Sequence, residues 1–144
     1  MLLRLEPDQI NRYWEALKKL VASALPPTTL EEEATSNNIY KNLLSGDMHC
    51  WVAVKGKTSY AVVVTTFQYD TVGTWSFLIY ALVGVQYLNL DSWKIIFNTL
   101  SKFAKANHCK RIIAYSNVER IIRISKTFGG EAKYTFITIP VEEI

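Results

Sequence analysis

Hydrophobic positions along the chain recur with two periods, and the change from one to the other divides it into elements. Ile10, Tyr13, Trp14, Leu17, Leu20, Val21 and Ala24 recur every three or four residues, the stripe of a helix over about Asp8 to Ala24. Pro7 and Asp8 open that helix and Pro26-Pro27 must stop it. Met1 to Leu5 alternates loosely as a short strand before it. Thr29 with Glu32 fits a capping box for a second helical region, with a break expected in the polar stretch Ala34 to Asn38. Ile39, Tyr40, Leu43 and Leu44 then supply a last turn ended by Gly46.

From Cys50 the period is two. Trp51 to Val54, a turn at Lys55 to Thr58 and Tyr60 to Tyr69 form an antiparallel hairpin, and a turn around Gly73 leads into a strand over Trp75 to Val83. The clearest helix follows: Trp93, Ile96, Phe97, Leu100, Phe103 and Ala104 face one core while Lys94, Asn98, Ser101, Lys102 and Lys105 stay wet. Ile112 to Tyr115 is the next strand, completing a βαβ crossover. Ser116-Asn117 opens a fourth helix with Val118, Ile121, Ile122 and Ser125 inward, which Gly129-Gly130 ends. Ala132 to Ile139 alternates as a closing strand, and Pro140 terminates it. The class is α/β with a mixed sheet (α+β), in the order β-α-α-β-β-β-α-β-α-β, as one domain over residues 1–144.

Composition removes several classes of function. Of 144 residues, 49% are hydrophobic and only 20% charged, which excludes a disordered chain. A net charge of +3, with basic and acidic residues interspersed, lacks the footprint of a nucleic-acid binder. No apolar run reaches 18 residues, so no membrane span is expected, and Pro7-Asp8 interrupts the N-terminus too early for a signal peptide. A cytoplasmic chain with Cys50 and Cys109 as free thiols is expected. His49-Cys50 and His108-Cys109 could make a zinc site only if adjacent residues faced the same way, which a strand forbids, so no metal is expected. The nucleophile-elbow, zincin, P-loop and dinucleotide motifs are missing from the sequence. Glu31, Glu32 and Glu33 complement a helix start, and the four tryptophans belong to apolar stripes, with one or two available to anchor an interface.

The element order, the FAKANHCKRI segment and the ISKTFGG segment at Ile124 to Gly130 together resemble the GNAT N-acetyltransferases over essentially the whole chain. The chain is also similar to small GNAT-like proteins encoded in tailed-phage genomes. The resemblance implies an acetyl-CoA site between the strand ending near Val83 and the following helix, where the family carries a glycine-rich loop. Cofactor contacts would then fall at Val83, Val85, Gln86, Asn89, Asp91 and Ser92, with a bulge at Gly84. In this sequence Leu88, Asn89, Asp91 and Trp93 occupy the motif positions, and no glycine stands between Val85 and Phe128. Their side chains are expected to crowd the phosphate route, and the Asp91 anion to oppose phosphate at the helix end.

The family's tyrosine acid falls at Ser125, which cannot protonate a thiolate near neutral pH, and no carboxylate base lies on Trp75 to Val83. Tyr80 and Ser125 are the catalytic candidates, Ser76 being the other polar residue of that strand, and a tyrosine anchored at the edge of the core is the simpler reading of Tyr80. Two functions follow. One is a protein that has lost cofactor binding and works through a protein partner or a homo-oligomer, located in the host cytoplasm or virion if phage-encoded. The alternative is a divergent N-acetyltransferase that moves an acetyl group from acetyl-CoA to an amine.

Overall fold

A computed structural model describes residues 1–27, 29, 32–116 and 118–141, the side chains of residues 32–34 excepted. The chain order is β1 (Leu2–Arg4), α1 (Pro7–Ala22), α2 (Glu32–Ser45), β2 (Met48–Lys55), β3 (Thr58–Tyr69), β4 (Trp75–Gly84), α3 (Leu90–Ala106), β5 (Arg111–Ala114) and α4 (Glu119–Thr127). The five strands lie side by side in sequence order. Every neighbouring pair is antiparallel except β4 and β5, which α3 joins as a parallel pair.

Each face of the sheet is covered by the helices whose apolar stripe the sequence announced. On one face Ile96, Leu100 and Ala104 of α3 pack with Leu88 over Trp51, Ala61, Val63 and Phe77. On the other, α1 and α2 bring Ile10, Trp14, Leu17, Val21, Ile39 and Leu43 onto Met48, Cys50, Val62, Val64 and Ala81. Phe77, wholly buried at the centre of the first face, contributes roughly 1.5–3 kcal/mol by leaving water. Phe97, expected in that core, instead stacks on Phe128 at 4.6 Å and ties α3 to α4.

Several elements depart from their expected bounds for local reasons. Helix α1 starts at Pro7 on a capping box in which the Glu6 N–H donates to Gln9 Oε1 at 2.8 Å. The capping box expected at Thr29 is not what the residue does: its hydroxyl donates to the Pro26 carbonyl at 2.8 Å, and the side chain of Glu32 lies outside the described residues. No break precedes Ile39, because Ser36, Ile39 and Leu43 are all buried and hold α2 in one piece against α1 and β2. Helix α4 begins at Glu119, and Ser116 Oγ accepts from the Val118 N–H without capping it; Asn117 lies outside the described residues. The closing strand expected over Ala132 to Ile139 does not form: residues 131–141 are exposed and unpaired in the sheet.

Helices α3 and α4 end in the same motif with different residues. After α3, the His108 N–H donates to Lys105 O at 3.1 Å and the Cys109 N–H to Ala104 O at 3.0 Å. After α4, Gly129 and Gly130 repeat the pair onto Lys126 and Ser125. The position needs a positive φ, which is 85° at Gly129 and 63° at His108. A side chain there is strained by roughly 1 kcal/mol. His108→Gly is therefore expected to raise stability by about 0.5–1 kcal/mol in urea unfolding; an unchanged midpoint would show that the imidazole compensates the strain.

Both cysteines are free and lie on opposite sides of the sheet, Cys50 beneath α1 and α2 and Cys109 against the α3 face. Burial pushes the Cys50 thiol up to about 12 and raises that of Cys109. Among the described residues no cluster of His, Cys, Asp and Glu could hold a metal, and no helix is long and apolar enough to cross a membrane.

Candidate active site

The site is made where β4 and β5 part. Their ladder runs only from Ser76 with Arg111 to Ile79 with Ala114. Beyond it β4 continues to Gly84, held among the described residues by β3 alone, so its other edge carries main-chain groups without a strand partner there. The parting coincides with a bulge: Thr65 pairs with Ile79 and Val64 with Ala81, which leaves Tyr80 as the extra residue. The bulge expected at Gly84 is thus four residues earlier, and Gly84 keeps its register opposite Ala61. A Cβ on Gly84 would lie 3.3 Å from the Gln86 carbonyl, so the glycine lets the chain turn sharply into the loop before α3.

Tyr80 and Tyr115 are the first residues past the last rung on their two strands. Tyr80 is half-buried against the α1–α2 core, and burial raises its phenol above the ordinary tyrosine value, so it is held protonated. Tyr115, which no motif or spacing singles out, stands at the vertex with Ile113 and Arg111 along the same side of β5. These residues line an open cleft on the sheet face that α1 and α2 leave bare, reaching back to Ser76, Gln68 and Asp70. Arg111 Nε donates to Ser76 Oγ at 2.9 Å. The Thr74 N–H, and after it the Val72 N–H and Arg111, hold the Asp70 carboxyl below its usual value.

Ser125 is not brought to this vertex as a free hydroxyl. It donates to Ile122 O at 2.7 Å within its own helix, and Gly130 folds back on its carbonyl.

The loop from Val85 to Asn89 differs from the expected obstruction. Leu88 is buried in the α3-face core and Trp93 packs against the same cluster, its Nε1 buried without a partner. Asn89 caps α3, its Oδ1 accepting from the Ser92 N–H at 2.9 Å, and the Val85 N–H donates to Tyr60 O at 2.9 Å. The amides of Val85 and Ser92, both expected cofactor positions, are therefore engaged. Val83 sits in the ladder opposite Val62, and Gln86 and Asp91 are exposed. The loop also holds a cation: Arg120, at the start of α4, donates to the Leu88 carbonyl and lies 4.2 Å over the Tyr87 ring. Sequence spacing carried no signal for it, since the contact spans two separate elements.

No family profile and no curated protein matches this sequence. Solved structures do match its shape. An aminoglycoside antibiotic 6'-N-acetyltransferase from Acinetobacter haemolyticus superposes with a TM-score of 0.73 at 7% identity, covering 99% of both chains. AAC(6')-Iy, in complex with a bisubstrate analog of coenzyme A and acetylneamine, gives 0.72 at 11% identity over 99% of this chain and 97% of its own. A protein from Clostridium acetobutylicum described as a predicted acetyltransferase with acetyl-CoA gives 0.69 at 10% identity, over 97% and 95%. The fold is that of the GNAT acetyltransferases.

Measured against what acetyl-CoA would need, the residues present fit. The unpaired edge of β4 past Ile79 offers main-chain donors and acceptors for the amides of a pantetheine arm. Arg120 places a charge beside the loop that has no glycine, the charge a diphosphate requires.

Proposed function

We propose that the chain is a divergent N-acyltransferase that takes an acyl group from acyl-CoA, with the site at the β4–β5 vertex. The observation that carries this reading is the parting of β4 and β5 at a bulge on Tyr80, which opens main chain where nothing in the sheet uses it. When bound, acetyl-CoA supplies a thioester carbonyl to an amine nucleophile and a thiolate leaving group. The free edge of β4 orients the arm, Arg120 offsets diphosphate charge, and the bare cleft leading to Tyr115 admits the amine. With no carboxylate on β4, the amine must arrive uncharged or lose its proton to water. The Tyr80 and Tyr115 phenols are the groups placed to hold a proton for the departing sulfur.

Titration calorimetry with acetyl-CoA tests the reading. Binding is expected, and at one hundred times Kd thermal unfolding should report about 2.7 kcal/mol of stabilisation. Arg120→Ala should weaken binding about tenfold or more, the loss of a charge-assisted contact worth roughly 1.5–3 kcal/mol. Tyr115→Phe should slow acyl transfer about a hundredfold, within the range for a lost general acid, without weakening acetyl-CoA binding. Absence of binding up to millimolar acetyl-CoA would sink the enzymatic reading.

A second reading, a protein that works by contact, draws support from one observation: Tyr134, Ile137, Ile139 and Val141 are 96%, 76%, 82% and 98% exposed. The two readings are compatible, since that segment lies outside the vertex apart from one contact with Tyr115.

A further inference from the structure

The cleft that runs back from the vertex along β5 carries a cation, an aliphatic side chain and a phenol in a row, Arg111, Ile113 and Tyr115. At about 3.3 Å per residue along a strand, the first stands roughly 13 Å from the last. The guanidinium at the far end is held in place, since Arg111 Nε donates at 2.9 Å to the Oγ of Ser76, a residue only 3% exposed. That leaves the two η-nitrogens, a planar pair of donors. Among the described residues no carboxylate comes within ion-pair distance of them. Asp70, which lines the same cleft, is committed to its own turn, its Oδ1 accepting the Val72 and Thr74 N–H at 2.9 and 3.0 Å. A fixed guanidinium fork without a counter-charge, open to a cleft, is an arrangement for receiving an anion.

We propose that Arg111 determines acceptor specificity, and that the acceptor is an amine joined by an aliphatic linker to a carboxylate. On the acyltransferase reading, on which this rests, the amine lies at Tyr115, the linker over Ile113 and the carboxylate on the η-nitrogens of Arg111. A carboxylate suits the end of the cleft better than a phosphate does. Its two oxygens match the fork in one plane, and its single charge is less opposed by the neighbouring Asp70. Ser76 acts as a positioning residue, because a free arginine side chain would lose rotamer entropy on binding that the anchored one has already given up. In the transfer itself the uncharged amine forms a C–N bond to the acyl carbon, the C–S bond breaks, and the proton that the nitrogen gives up ends on the sulfur.

Steady-state assays of the full chain with acetyl-CoA and a set of simple amines read the preference directly. The parent should use aminooctanoate at least about tenfold better in kcat/KM than octylamine, octanediamine or the short β-alanine. Arg111→Gln should bring aminooctanoate and octylamine within about twofold of each other, the loss falling on KM. Arg111 is exposed, so the substitution leaves the core intact. Ser76→Ala, which removes only the anchor, should raise KM for aminooctanoate more than it lowers kcat. Calorimetry with acetyl-CoA is run beside the assays. Equal use of aminooctanoate and octylamine by the parent, a preference for the diamine, or a preference that survives Arg111→Gln would each overturn the assignment and leave the acyltransferase reading standing. So would a protein that binds acetyl-CoA and acylates none of these amines. No acetyl-CoA binding would take both down.

Discussion

Replacing Thr65 by valine should destabilise the fold by about 2–4 kcal/mol, although the two side chains have nearly the same shape. Thr65 is wholly buried and sits between two rings: Trp51 Nε1 donates to its Oγ1 at 2.9 Å, and His49 Nδ1 lies 3.0 Å from the same oxygen. An indole nitrogen can only donate, so the hydroxyl accepts from Trp51 and shares its second hydrogen bond with the neutral ring of His49. Valine keeps the β-branch that suits a central strand but leaves both nitrogens without a partner in a dry site. Each such loss is worth roughly 1–3 kcal/mol. Thr65→Ser, which retains the hydroxyl, should recover most of it. Urea unfolding of the three proteins decides the matter, and a valine variant within about 0.5 kcal/mol of the parent would mean that water reaches the site.

The second large effect is a loss of stability in mild acid. His49 is 3% exposed, ringed by Phe67, Phe77 and Phe103 at 5.0 to 6.2 Å between centroids. Burial, and after it the nearby positive charge of Arg4, lower its pKa from 6.5 to about 4. The unfolded chain takes up a proton near pH 6.5 while the folded chain refuses it until about 4. Stability should therefore be at its full value above pH 6.5, fall as the pH drops towards 4 and level off below, by up to about 3 kcal/mol. His49→Gln keeps a hydrogen-bonding group for Thr65 and cannot titrate, so it should lose this slope. Parallel pH profiles for the parent and the glutamine variant would discard the assignment to His49.

The network of Trp51, Thr65 and His49 was not visible in the sequence. His49 read as half of an unpromising metal pair because its partners come from elements distant in sequence. The same cause hid Arg120, which a helical wheel places outward but which reaches the loop before α3. Leu88 and Trp93 show the converse. Their identities were plain and their packing was not, because residue type cannot tell whether a bulky side chain in a loop faces a ligand or the core.

Local chemistry, readable one segment at a time, determined which stretches are helix or strand: the stripes of α1 and α3, the Gly56 and Gly73 turns, the Gly129-Gly130 stop, the order of elements and so the fold class. Each depends on backbone preference and on apolar spacing within a few residues. Tertiary structure alone decided the length of α2, the bulge at Tyr80, the parting of the two central strands and the failure of residues 131–141 to pair. All four depend on what lies across a gap of many residues, where burial, register and edge pairing outweigh local preference.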